Sequence, residues 1–191
     1  MKNSKVWMII GASEGLGPAA VRYLLSKQQT IVAVLKDTAD TLEIPVDNQG
    51  TLYLVYLTDE NESSFSSVIT GIVALHGKID MLINNFGYSL MDVIKANGLD
   101  KAENLIAAAV MENGLLIRTI VLFLKKEPES RLINLPPRFC SMEETDPFRL
   151  AFIEHTRDRY LQALKLELNG LNIIMRFIEP GDKLFFESSL K

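Results

Sequence analysis

Val6-Trp7-Met8-Ile9-Ile10, followed by Gly11-Ala12-Ser13-Glu14-Gly15-Leu16-Gly17, is the stretch that decides the fold. An apolar β-rich run breaks into three glycines and then into an amphipathic segment, Pro18–Lys27. That order predicts a strand, a tight turn and a helix start. A helix start offers unpaired N–H groups and a partial positive charge, so it attracts phosphate. Glycines let the backbone approach a pyrophosphate with no Cβ in the way. Pro18 suits the first helical turn, where its missing N–H costs nothing. An ordinary glycine-rich turn would carry the same residues, but the strand before and the helix after are the context nucleotide binding requires. The candidate cradle is therefore Gly11, Ser13, Glu14, Gly15, Leu16 and Gly17.

Further apolar runs recur at Thr30–Leu35, Leu52–Leu57, Met81–Asn84, Leu132–Leu135 and Ile173–Ile178. Most are continuous and not alternating, which predicts strands buried on both faces of a parallel sheet. Helical patterns lie between them at Pro18–Lys27, Ser63–His76, Leu99–Met111, Leu115–Lys125 and Phe148–Asn169. Thr58 or Asp59 suits the cap of the second, and Asp146 with Pro147 the start of the last. Asn113, just before Gly114, is expected at a helix end. Alternating β and α elements predict an α/β fold, a doubly wound parallel sheet in three α/β/α layers. The crossover from Lys36 to Pro45 is thin, and Pro45 stops any helix there, so a single turn or an irregular link is expected.

The spacing G-x-x-x-G-x-G resembles that of the short-chain dehydrogenase/reductase family. Three other segments carry the same resemblance: Gly77–Gly87 with its Asn84-Asn85-Phe86-Gly87 turn, Arg131–Leu135, and Leu164–Leu168 followed by Asn172–Gly181. They span almost the whole chain in the family's order. The resemblance implies an NAD(P)-binding Rossmann-like domain over residues 1–191, with strand order 3-2-1-4-5-6. It also implies that most of the substrate lid beyond Pro180-Gly181 is missing, since only Asp182–Lys191 remain.

Members of that family work with a tyrosine acid/base, a lysine four residues on, a serine and an asparagine. The chemistry needs a mobile hydroxyl proton, a fixed cation beside it and a donor for developing alkoxide. Glu167 matches a landmark near the end of the active-site helix, and counting back from it puts the tyrosine position at Leu150 and the lysine position at Glu154. Counting from Asn134 puts the serine position at Pro137, the family's usual separation from Leu150. The asparagine position falls on Ala109 from both directions; Asn113, four residues on and one turn along the same helix, is the alternative for a partial replacement, with the helix end as its favoured reading. Pro, Leu and Ala carry no titratable group, and Glu154 reverses the required charge. No catalytic residue is therefore assigned. Tyr160 and Lys165 are five apart and do not share the i, i+4 face, so they do not replace the missing pair.

The resemblance adds Lys36, Asn84, Phe86 and Gly87 to the cofactor site. Lys36 stands where a basic residue meets a ribose 2′-phosphate, pointing to NADP over NAD, and Asp37 points the other way. Tyr56 and Phe185 stand where an aspartate and a threonine would meet adenine and nicotinamide.

Bulk composition sets the outer limits. The chain has 191 residues, 48% hydrophobic and 23% charged, with a net charge of −4. That suits one globular domain and gives no electrostatic case for nucleic acid or an anionic membrane. A single cysteine, Cys140, excludes an internal disulfide framework and suits the cytoplasm. His76 and His155 have no ligand spacing, so no metal is expected. The stretch Leu115–Leu124 is too short to span a bilayer. The expected function is a non-catalytic nucleotide-binding or sensing protein. An active NADP-dependent oxidoreductase with atypical residues, or a structural subunit, are the alternatives. A homodimer or homotetramer through helices near 99–125 and 148–169 is expected, as the family pairs these helices.

Overall fold

The computed structural model describes residues 4–36, 38–42, 50–57, 62–85, 113–124, 131–135, 147–169, 171 and 173–177. In chain order they form β1 (Val6–Ile10), α1 (Gly17–Ser26), β2 (Thr30–Leu35), β3 (Thr51–Tyr56), α2 (Glu62–His76), β4 (Met81–Asn84), α3 (113–124), β5 (Arg131–Asn134), α4 (Pro147–Leu168) and β6 (Ile174–Phe177). All five strand pairings are parallel, in the order β3-β2-β1-β4-β5-β6. This is the expected doubly wound sheet. Its order reverses between β1 and β4, the switch point whose carboxyl-end crevice takes ligands in sheets of this kind.

The strands explain themselves. β1, β2 and β4 are buried along their whole length. Successive side chains of β1 point to opposite faces. Val6, Met8 and Ile10 join Val32, Val34, Leu82 and Leu132 in one core, and Trp7 and Ile9 join Ile31, Ala33, Met81 and Ile133 in the other. The first core is closed by Ile69 and Ile72 of α2, by Ile117, Ile120, Val121 and Leu124 of α3, and by Leu164 and Leu168 of α4. Ala20, Val21, Leu24 and Leu25 of α1 close the second. Each fully buried Ile, Leu or Val contributes roughly 1.5–3 kcal/mol. β3 departs from the continuous pattern: only Val55 is fully buried, because β3 is an edge strand.

Polar groups tie the opposite, amino-terminal edge. The Asp80 carboxylate accepts from the Val6 amide at 2.8 Å and pairs with Lys78 Nζ at 2.6 Å. The Asp80 amide donates to Val6 O at 2.9 Å, and Arg131 N donates to Asp80 O at 3.2 Å. One residue therefore sets the register of β1, β4 and β5. On β1, Trp7 Nε1 donates to Gln29 Oε1 at 3.4 Å.

One expectation is corrected here. Asn113 does not close a helix before Gly114. It belongs to α3, which continues through Gly114 to 124, and its side chain is buried. The amide is tolerated inside because every polar atom it carries finds a partner, as described below. The crossover after β2 is non-helical over 38–42, as Pro45 led one to expect. Helix 99–111, Thr58, Asp59, Cys140, Asp146, the Pro180-Gly181 turn and Phe185 lie outside the described residues.

Candidate functional site

The glycine loop lies at the carboxyl end of β1, against the crevice. Gly11 and Gly15 take φ of +68° and +51°, a region L side chains avoid. Gly17 is required for a different reason. A Cβ there would lie 2.3 Å from Gly11 O and 2.7 Å from Ala12 O, inside the turn's own backbone. The turn is closed by Glu14 N to Gly11 O at 3.3 Å and Gly17 N to Glu14 O at 2.8 Å. No side chain caps α1, its first turn carries no acid, and Pro18 stands at its start. Nothing negative in that turn competes with an anion.

A residue outside the sequence-derived set holds this loop. Asn85 Nδ2 donates to Gly11 O at 2.9 Å and to Glu14 O at 2.6 Å, while the Asn85 amide donates to Ile10 O at 3.2 Å. Asn85 thus fixes the cradle from β4, across the switch point. Its place beside Asn84 in the turn motif was the available signal.

Beyond β2, Lys36 is exposed, but its backbone N–H donates to Asp40 Oδ2 at 3.0 Å. Ser13 Oγ donates to the same oxygen at 3.1 Å. One carboxylate therefore bridges the glycine loop and the end of β2. Sequence reading passed over Asp40, since its position in an irregular link gives no pattern.

Asn84 turns away from the loop. Its amide nitrogen donates to Asn134 Oδ1 at 2.9 Å, and its oxygen accepts from Asn113 Nδ2 at 3.0 Å. Tyr160 Oη donates to Asn113 Oδ1, and the Asn84 side chain also hydrogen-bonds the phenol. All three asparagines are buried. Tyr160, Leu164 and Leu168 recur every four residues, so they share one face of α4 and enter the core together. Burial pushes the phenol far above its ordinary value of 10.0, and the Asn84 bond opposes this more weakly. Tyr160 therefore stays neutral and is a poor proton acceptor-donor near pH 7. It also lies ten residues beyond Leu150, about 15 Å along the helix axis. Lys165 is exposed, off that face.

Leu150 and Glu154 fall on the backbone of α4, with their side chains outside the described set. Ala109, Pro137, Phe86 and Gly87 lie outside the described residues. Among the described residues, no group of three His, Cys, Asp or Glu could hold a metal ion. No described helix is long and apolar enough to cross a membrane.

Residues 5–145 match the family described as short chain dehydrogenase. The chain is 24% identical over 174 residues to VdlC of Helicobacter pylori, described as a short-chain type dehydrogenase/reductase, covering 91% of this chain and 63% of that protein. Among solved structures, a metagenomic short-chain oxidoreductase in complex with NADP aligns with a TM-score of 0.64 at 23% identity, over 95% of this chain and 84% of that one. An NAD+-bound xylitol dehydrogenase aligns with a TM-score of 0.67 at 18% identity, over 94% and 71%.

Proposed function

The chain belongs to the short chain dehydrogenase family, and from that premise we propose that it binds a nicotinamide dinucleotide without performing the family's ordinary carbonyl–alcohol chemistry. One observation carries the binding half: a tight turn that only glycine fits at Gly11, Gly15 and Gly17 leads into the start of α1 and is held by Asn85. The residues present fit that group, because a Cβ at Gly17 would fill the turn and the first turn of α1 carries no acid. The other half rests on Pro137, Leu150, Glu154 and Ala109 at the four catalytic positions, with Tyr160 engaged elsewhere. General acid/base work contributes typically ~10²–10⁴-fold, and here the acid and its cation are replaced together. The protein acts as one Rossmann-like domain in the cytoplasm, as a nucleotide-dependent sensor.

Asp40 favours NAD over NADP. Its carboxylate engages Ser13 Oγ and the Lys36 N–H at the end of β2, the place the family gives to the ribose 2′ group. A 2′-phosphate would meet that negative charge, whereas a 2′-hydroxyl can donate to it.

Calorimetric titration with NADH and NADPH, paired with thermal unfolding, tests the reading. Saturating NADH should raise the melting temperature by linkage. NADPH should bind at least tenfold more weakly, and Asp40→Asn should narrow that gap. NADPH- or NADH-dependent turnover of a carbonyl panel near ~1 s⁻¹ would place the protein among ordinary enzymes and overturn the non-catalytic reading.

A second reading, a self-associating subunit, is favoured by apolar side chains facing outward from α3 and α4: Leu115, Leu122 and Leu166, the last 76% exposed. Light scattering at high concentration should give a dimer or tetramer, and Leu122→Glu should shift it toward monomer. A monomeric wild type would remove this reading.

A further inference from the structure

The amide chain beneath the crevice has a direction, and it ends on a donor. Asn84 uses its oxygen for Asn113 and its nitrogen for Asn134, with Tyr160 joining Asn84 and Asn113. Asn134 must therefore turn its oxygen toward Asn84, which leaves Nδ2 facing away. That nitrogen is buried without a hydrogen-bond partner, on a residue only 6% exposed. An orphaned buried donor is costly and calls for an explanation. Reversing the Asn134 amide alone would face its N–H₂ to the Asn84 N–H₂, so that rotation by itself does not relieve it.

Position supplies the explanation. Asn134 is the last residue of β5, opposite Asn84 at the carboxyl end of β4, and Leu135 N donates to Asn84 O at 2.9 Å. Strands lie roughly 4.8 Å apart, so β5 stands about 10 Å from the β1 end where the glycine loop starts. A ligand anchored by its phosphates at the loop and extending across β4 reaches Asn134 with its far end.

We infer that Asn134 Nδ2 is a ligand-binding donor that takes a carbonyl oxygen at the carboxyl ends of β4 and β5, and that Tyr160 is a positioning residue that fixes its direction through Asn113 and Asn84. The carbonyl comes from a carboxamide or a ketone. The carboxamide source rests on the dinucleotide reading above, and the ketone source does not.

The side-chain ¹⁵NH₂ resonances of Asn134 report this directly, and the Gly15 amide reports the loop. Three probes separate the cases: nicotinamide mononucleotide carries phosphate and carboxamide, ADP-ribose carries phosphates without carboxamide, and cyclohexanone is a ketone alone. Asn134 should respond to nicotinamide mononucleotide or to cyclohexanone and stay still with ADP-ribose. Asn134→Asp keeps the shape and still accepts from Asn84 but has no N–H, so it should lose the carbonyl probe at least tenfold while Gly15 keeps its response to ADP-ribose. Tyr160→Phe should weaken the carbonyl probe several-fold with the same ADP-ribose response. If that variant unfolds, Asn134→Asp decides alone. Asn134 resonances unmoved by either carbonyl probe at millimolar concentration overturn the inference. So does a nuclear Overhauser contact to a single ordered water that persists with every probe. A Gly15 amide silent to ADP-ribose removes the dinucleotide reading, and the cyclohexanone arm then decides the inference.

Discussion

The two sides of the sheet's carboxyl edge use their polar groups in opposite ways. Beside β1 and β2, side chains brace the backbone of a loop: Asn85 donates to Gly11 O and Glu14 O, and the Asp40 carboxylate accepts from Ser13 Oγ and the Lys36 amide. Beside β4 and β5 they are side chains turned inward: Asn84, Asn113, Asn134 and Tyr160 hold one another in the core. The first side braces a loop from outside it, and the second closes on itself. Asn84-Asn85 belongs to both, one residue facing each way. The comparison teaches that the glycine loop and the buried amide network are separable in this fold, because at the carboxyl edge their side chains join only through that dipeptide.

Breaking the first side should have the largest effect. Gly17→Val drives side-chain carbon into the backbone of its own turn, and we expect a loss of roughly 3 kcal/mol or more in urea unfolding. If the turn opens without cost, the glycine was not needed for fit. Next comes the centre of the second side. Asn84→Leu strands both Asn113 Nδ2 and Asn134 Oδ1, and should lower stability by about 2–3 kcal/mol. Asn85→Ala should act more on binding than on folding. With the loop's two tethers gone, the ADP-ribose dissociation constant should rise about tenfold, or ~1.4 kcal/mol. A calorimetric constant equal to the wild type's would show that the turn holds itself.

The phenol sharpens the comparison through pH. Burial raises the folded pKa of Tyr160 above the unfolded value of 10.0. Its contribution is therefore complete below pH 10, where both states keep the proton. It falls above pH 10, where the unfolded chain releases the proton first, by up to ~1.4 kcal/mol per pH unit. Tyr160→Phe should lack that part of the alkaline slope in denaturant midpoints taken from pH 9 to 11. Equal slopes in the two proteins would place the ionisation elsewhere. The smallest effect is a control far from both sides. Gly71 sits mid-α2 with nothing within 4 Å of an added Cβ, so Gly71→Ala should stabilise by ~0.5–1 kcal/mol.

The sheet was legible because its signal is local. β1, β2 and β4 are buried on both faces, so their runs are apolar throughout, and each observed strand lies within a residue or two of the run that foretold it. β3 was legible as a strand but not as an edge, since Thr51–Tyr56 reads apolar whether or not a further strand follows. The glycine loop was legible for the same local reason. Its support was not: Asn85 meets Glu14 and Asp40 meets Ser13 across 71 and 27 residues of chain. Asn113 was misplaced because an asparagine before a glycine has a strong local preference for helix ends, and that preference yielded to two side-chain partners, Asn84 and Tyr160. Tyr160 was judged by its spacing to Lys165, whereas its work is done with residues of β4 and α3.

Trp7 turns the buried first strand into an optical gauge. It is the chain's only indole, it is 0% exposed, and it stands four residues before Gly11. All tryptophan emission therefore comes from one rigid, water-free place beneath the cradle. Its colour reports whether β1 and α1 remain packed. Its quenching by energy transfer to a reduced nicotinamide in the crevice would report occupancy, with no label added and no second emitter of its kind to disentangle.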